Sequence, residues 1–158
     1  NQLAPTTNSA DFRLDFVGSD LSAPAPNSRT PWEGTAFENT ATYNSVEAGG
    51  FAEYTFGSAR SFFRLMWGSP DDYNTLEFLL GGISQGTLTG DQVDDPPPAG
   101  TGFVNVFVTD VSFDTVRFTS TQDAFEYAEV SAVPLPAAGW LLVSAMAGFG
   151  YMSRRRRA

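Results

Sequence analysis

The sequence contains no cysteine and no histidine. The first absence excludes thiol nucleophiles, disulfide staples and thiolate metal sites. The second excludes Ser-His-Asp triads and zinc or iron sites built on imidazole. Lysine is absent too, for no physical reason that the residues offer. All nine basic residues are arginines, and four of them, Arg154, Arg155, Arg156 and Arg157, stand together next to the last residue. Before Val133 only Arg13, Arg29, Arg60, Arg64 and Arg117 face all 18 acids, which leaves that part at −13. So acidic a surface repels phosphate, and nucleic acid is excluded as a partner.

What is present reads as one domain followed by a tail. With 14 Phe, 5 Tyr and 3 Trp, the chain has the aromatic area to hold a core without disulfides. Asp11–Val17 alternates, with Phe12, Leu14 and Phe16 on one face, and predicts a half-buried strand. Gly18–Pro31 predicts a long loop. Trp32–Val46 predicts one or two strands anchored by Phe37 and Tyr43. After a Gly49-Gly50 turn come strands at Phe51–Phe56 and at Phe62–Trp67, the latter apolar on both faces and therefore central. Gly68–Asp72 turns the chain into a strand at Tyr73–Leu80, and Gly81-Gly82 turns it again into Ile83–Leu88. A second long loop, Gly90–Gly102, precedes a buried strand at Phe103–Val108, an alternating one at Thr115–Ser120 and a last one at Phe125–Val130. About eight short strands, glycine-rich turns and no amphipathic helix predict an all-β fold, an antiparallel jelly-roll-like β-sandwich over residues 1–132.

Residues 133–158 have a different character. Val133-Pro134-Leu135-Pro136-Ala137 opens an uncharged run, Ala137–Met152, that closes on the four arginines. As a helix the run would be roughly 24 Å long, short of a ~30 Å hydrocarbon core. Val133 and Leu135, local thinning of the bilayer and snorkelling arginine stems can make up the difference. Leu141, Leu142, Val143, Met146, Phe149 and Tyr151 are distributed all round such a helix, unlike the single stripe of a soluble core helix. The expectation is one short C-terminal transmembrane helix, with Arg154–Arg157 on the cytoplasmic side and the body across the membrane. An exported body needs an export signal, so the expectation is also that a leader has been removed from Asn1 or that the sequence is a fragment.

The order of proline motif, apolar helix and arginine cluster resembles the VPLPA variant of the PEP-CTERM sorting signal. That resemblance rests on Val133, Pro134, Leu135, Pro136, Ala137 and Arg154–Arg157. It implies a Gram-negative surface or extracellular-matrix protein, cut near the prolines by an exosortase, a membrane-embedded transpeptidase-like enzyme. Pro134 and Pro136 hold Val133 and Leu135 extended, a conformation a processing enzyme can bind. The body carries a second likeness. Trp67-Gly68-Ser69-Pro70-Asp71-Asp72-Tyr73-Asn74 is similar to a Trp-Gly-Ser-x-Asp-x-Tyr-Asn segment of PEP-CTERM surface proteins. The Phe-Glu-x-Asp-Asn that commonly closes such bodies is matched only by Phe125-Glu126-Tyr127, with Ala128 and Glu129 in place of the acid-amide pair.

Chemistry in the body is left to oxygen ligands and aromatic faces. Paired carboxylates could hydrolyse glycosides if set roughly 5–9.5 Å apart, but no spacing nominates a pair, and the chain is read as non-enzymatic. No cofactor is predicted, with calcium the candidate cation at Asp71 and Asp72 in one turn and at Asp91, Asp94 and Asp95 in a loop; acidic turns are also common without metal. Trp67, Tyr73 and Asn74 form a candidate platform for exopolysaccharide, an aromatic face with an amide for hydroxyls. Against that stands the apolar strand that Trp67 ends, which favours a core position.

Overall fold

The computed structural model describes residues 3–20, 28–93 and 103–134. In chain order the strands are β1 (Thr7–Asn8), β2 (Phe12–Val17), β3 (Thr42–Val46), β4 (Phe51–Gly68), β5 (Asn74–Leu80), β6 (Ile83–Thr89), β7 (Phe103–Val108), β8 (Phe113–Ser120) and β9 (Phe125–Pro134). Every pairing between them is antiparallel. Among the described residues there is no α-helix, only a 3-10 turn at Gly90–Gln92. The expected all-β antiparallel architecture is therefore present.

The strand that organises the fold is β4, which the sequence pattern divides into two. Its inward residues are Ala52 and Tyr54 in the first half but Phe63, Leu65 and Trp67 in the second, so the parity changes on the way. Register shifts between Thr55 and Arg60 on one side, and between Arg60 and Phe62 on the other, absorb the change. The small residues Gly57-Ser58-Ala59 bridge the bend and let one strand serve two neighbourhoods. The first half pairs with β1 and β8, and the second with β7 and β9. The hydrogen-bonded path runs β2-β3-β9-β4-β8-β5-β6.

Because the path bends at β4, its two arms face each other in a sandwich-like way. Phe63 of β4 meets Phe78 of β5 and Phe113 of β8, at ring-centroid distances of 5.7 and 6.0 Å. Tyr127 of β9 stacks on Phe118 of β8 at 4.0 Å. Edge-to-face and stacked aromatic pairs add ~0.5–1.5 kcal/mol each beyond area burial, and half of the buried residues of this core are aromatic.

Four expectations need correction. Leu14 does not continue the inward face of β2: the register slips between Arg13 and Phe16. Asp15 takes a φ of 51° at that slip and donates its N–H to Asn44 Oδ1, which turns Leu14 outward. Residues 31–40 form successive turns rather than a strand, and Phe37 is 61% exposed; Tyr43 alone is an anchor. β7 is not buried on both faces: it pairs with β4 alone among the described residues, with Phe103 and Phe107 exposed. The last strand runs four residues further than expected, so Val133 pairs with Phe62 and Pro134 with Arg60. Gly81-Gly82 turns as the sequence requires, with φ of 58° and 78° between the partners Leu80 and Ile83.

Candidate functional site

The Trp67–Asn74 segment is the first candidate, and its side chains are engaged in holding turns together. Trp67 is fully buried and stacks on Phe125 at 4.5 Å, so neither face is open to a sugar ring. Asn74 is also fully buried: its Nδ2 donates to Ala124 O, and its Oδ1 accepts from the Ser120 hydroxyl at 2.6 Å. Tyr73 donates its hydroxyl to Asp71 Oδ2 at 2.9 Å, and Thr121 N–H donates to Tyr73 O. Burial and the acceptor Asp71 both push the Tyr73 phenol well above its ordinary pKa, so it stays a donor. The segment is a clasp between the β4–β5 turn and the β8–β9 turn. Of the candidate glycan platform only Tyr73 is left: Trp67 and Asn74 belong to the core, the position that the apolar strand end favours for Trp67, because an apolar strand end and an amide beside a turn find better partners inside.

The acids of the proposed calcium sites fall close together in part. Asp71 Oδ2 accepts from the hydroxyls of Ser69 and Tyr73, and Asp72 is exposed. Gly90 lies against the Asp71 backbone so tightly that a Cβ there would overlap it, which brings the Gly90–Gln92 turn beside the first acidic turn. Asp91 Oδ1 accepts from Thr89 Oγ1. Asp94 and Asp95 lie outside the described residues. Among the described residues no three acids converge in a way that could hold a metal ion.

Two buried carboxylates were not singled out by sequence reasoning. Glu126 of β9 is 4% exposed, and its Oε1 accepts from the Arg29 N–H at 2.7 Å. Burial is the main force on it and pushes its pKa up to about 8; the Arg29 N–H pulls the other way, while Asp71 and Glu47 add to the rise. Glu47 Oε1 accepts from the hydroxyls of Ser28 and Ser45 at 2.9 and 3.0 Å and lies 3.8 Å from Arg13 Nε. Both acids lie beneath the segment Ser28–Trp32, where Pro31 packs on Gly68 and Trp32 joins Tyr43, Met66 and Ala128 in a small second core. Alternation alone marks Glu126 as solvent-facing; only the covering segment buries it. A cleft of about 400 Å³ opens nearby, lined by Asp11, Arg13, Glu47 and Asp123 among others. Three acids share it, but Glu47 is held by two serines and Arg13, and Asp123 Oδ1 accepts from the Ala48 N–H. No acid–base pair stands out.

The proline-punctuated segment begins within β9, which ends at Pro134. Val133 is 51% exposed at the end of β9, beside Phe62 of β4. The extended conformation expected of Val133 is present, and it comes with strand pairing rather than a free backbone. Leu135, Pro136, Ala137, the apolar run to Met152 and Arg154–Arg157 lie outside the described residues, and among the described residues no helix is long and apolar enough to cross a membrane.

Set beside known proteins, no family model matches the chain and no curated protein is significantly similar to it.

Proposed function

We propose that this chain is a non-enzymatic exported protein of a Gram-negative cell surface or extracellular matrix. Residues 1–132 form its jelly-roll-like body, and residues 133–158 are a PEP-CTERM-type signal that an exosortase processes. One observation carries the reading: a proline motif at 133–137, an uncharged run to Met152 and four arginines follow one another in the order such signals have. Solvation explains why the parts belong together. An all-round apolar helix is stable in lipid, and a guanidinium cluster beside it stays on the cytoplasmic side, which leaves the −13 body outside. The alternative, a module for exopolysaccharide, loses Trp67 and Asn74 to the core and keeps only Tyr73 of its three nominated residues.

The test compares the full chain with one ending at Pro134, which keeps β9 whole, in a host that carries an exosortase. The full chain is expected to lose the mass of its tail and to pass from the inner-membrane fraction to the surface. The shortened chain should do neither. Identical fractionation and unchanged mass in both would end the sorting reading.

A further inference from the structure

The outward face of the sheet where the tail departs differs from the rest of the body. Phe62 of β4, Phe107 of β7 and Val133 of β9 stand on neighbouring strands, with Val133 opposite Phe62 and Phe107 opposite Arg64 in register. Phe107 is 59% exposed and Val133 51%, and the Phe62 and Phe107 rings are 6.3 Å apart. Single exposed apolar residues are ordinary, but two that flank a half-buried Phe62 across three strands make a patch. Arg64 lies over the Phe107 ring at 5.7 Å and pairs with Glu129 at 2.7 Å, so this pair adds no net charge to the face of a domain that is otherwise strongly acidic.

We propose that this face, Phe62, Phe107 and Val133 with Arg64, rests on the phospholipid headgroup layer while the protein is held in the membrane. The inference rests on the anchoring reading given above and adds the side by which the body meets the bilayer. Only Leu135 and Pro136 separate Pro134 from the apolar run. Three extended steps reach about 10 Å at most, while the headgroup region is only ~5–7 Å deep on each side. The end of β9 is therefore drawn to the lipid surface, and a run shorter than the hydrocarbon core pulls it closer. Phenylalanine rings and a valine enter the interface favourably, and the Arg64 stem can lie on it. A second copy of the chain is a poorer occupant, because two −13 bodies repel each other.

The absence of native cysteine makes the test direct. Nitroxide labels are placed singly on Phe107→Cys, on Ile83→Cys at the 70% exposed start of β6, and on Leu142→Cys, each in the full chain in phosphatidylcholine vesicles. Collisions with oxygen and with an aqueous nickel complex are compared. The expected result is several-fold protection from nickel at 107 relative to 83, abolished by adding Phe62→Glu. Protection at 142 with position 107 as open as 83 would overturn the docking and leave the anchor standing. A label at 142 open to nickel would remove the anchor, and the docking with it. Broadening between labels at 107 that grows with the protein-to-lipid ratio would assign the face to a second copy and overturn the proposal.

Discussion

Glu126 is the residue whose environment differs most from what its type prefers. Its carboxyl group is covered by the Ser28–Trp32 segment and faces Glu47 and Asp71, and its pKa rises from an ordinary value of 4.5 to about 8. The folded chain therefore binds a proton that the unfolded chain has released over that interval. Its contribution to stability is complete below about pH 4.5 and declines as pH rises through about 8, and the total is on the order of a few kcal/mol. Glu126→Gln keeps an oxygen for the Arg29 N–H and removes the titration. The wild type should lose several degrees of melting temperature between about pH 5 and pH 9, and the variant clearly less. Parallel melting curves for the two proteins across that range would contradict the assignment. Nothing in the alternation of Phe125-Glu126-Tyr127 announces this burial, because a strand's outer face is dry only when a segment distant in sequence covers it.

At the scale of elements, strands were legible where inward residues alternate without interruption. Asn74–Leu80 and Phe113–Ser120 show this, as does the hairpin fixed by Gly81-Gly82. The pattern did not disclose that Phe51–Gly68 is one strand, since a parity change across Gly57-Ser58-Ala59 looks the same as a loop. Nor could it place β7 at an edge, because apolar composition reports potential for burial and not the neighbours available. The clasp at Trp67–Asn74 was legible as a segment and not as a clasp: its hydrogen bonds run to residues some 50 positions away. Close approach between elements is testable through glycine. Gly90→Ala would drive a Cβ into the Asp71 backbone and should cost about 1–3 kcal/mol, read as a lower denaturant midpoint. Gly86→Ala in β6 meets open space and should be neutral or slightly stabilising. Equal midpoints for the two variants would mean that the Gly90–Gln92 turn is not packed against the β4–β5 turn.

Across the described residues, charge is distributed so that the five arginines are already in use. Arg13 pairs with Asp20 and Glu47, Arg29 with Glu33, Arg64 with Glu129 and Arg117 with Glu53, while Arg60 lies over the Phe56 ring at 5.1 Å. These pairs are half-exposed at most positions and worth little individually. The remaining acids repel one another over distances that salt controls, with a Debye length of ~30 Å at 0.01 M and ~8 Å at 0.15 M. Screening therefore removes more repulsion than attraction. The chain ending at Pro134, which retains all nine strands, should melt a few degrees higher at the larger ionic strength near neutral pH. A lower melting temperature in salt would show that the five arginine pairs outweigh the acidic excess. In that case the same excess would give no reason for two bodies to stay apart at a membrane surface.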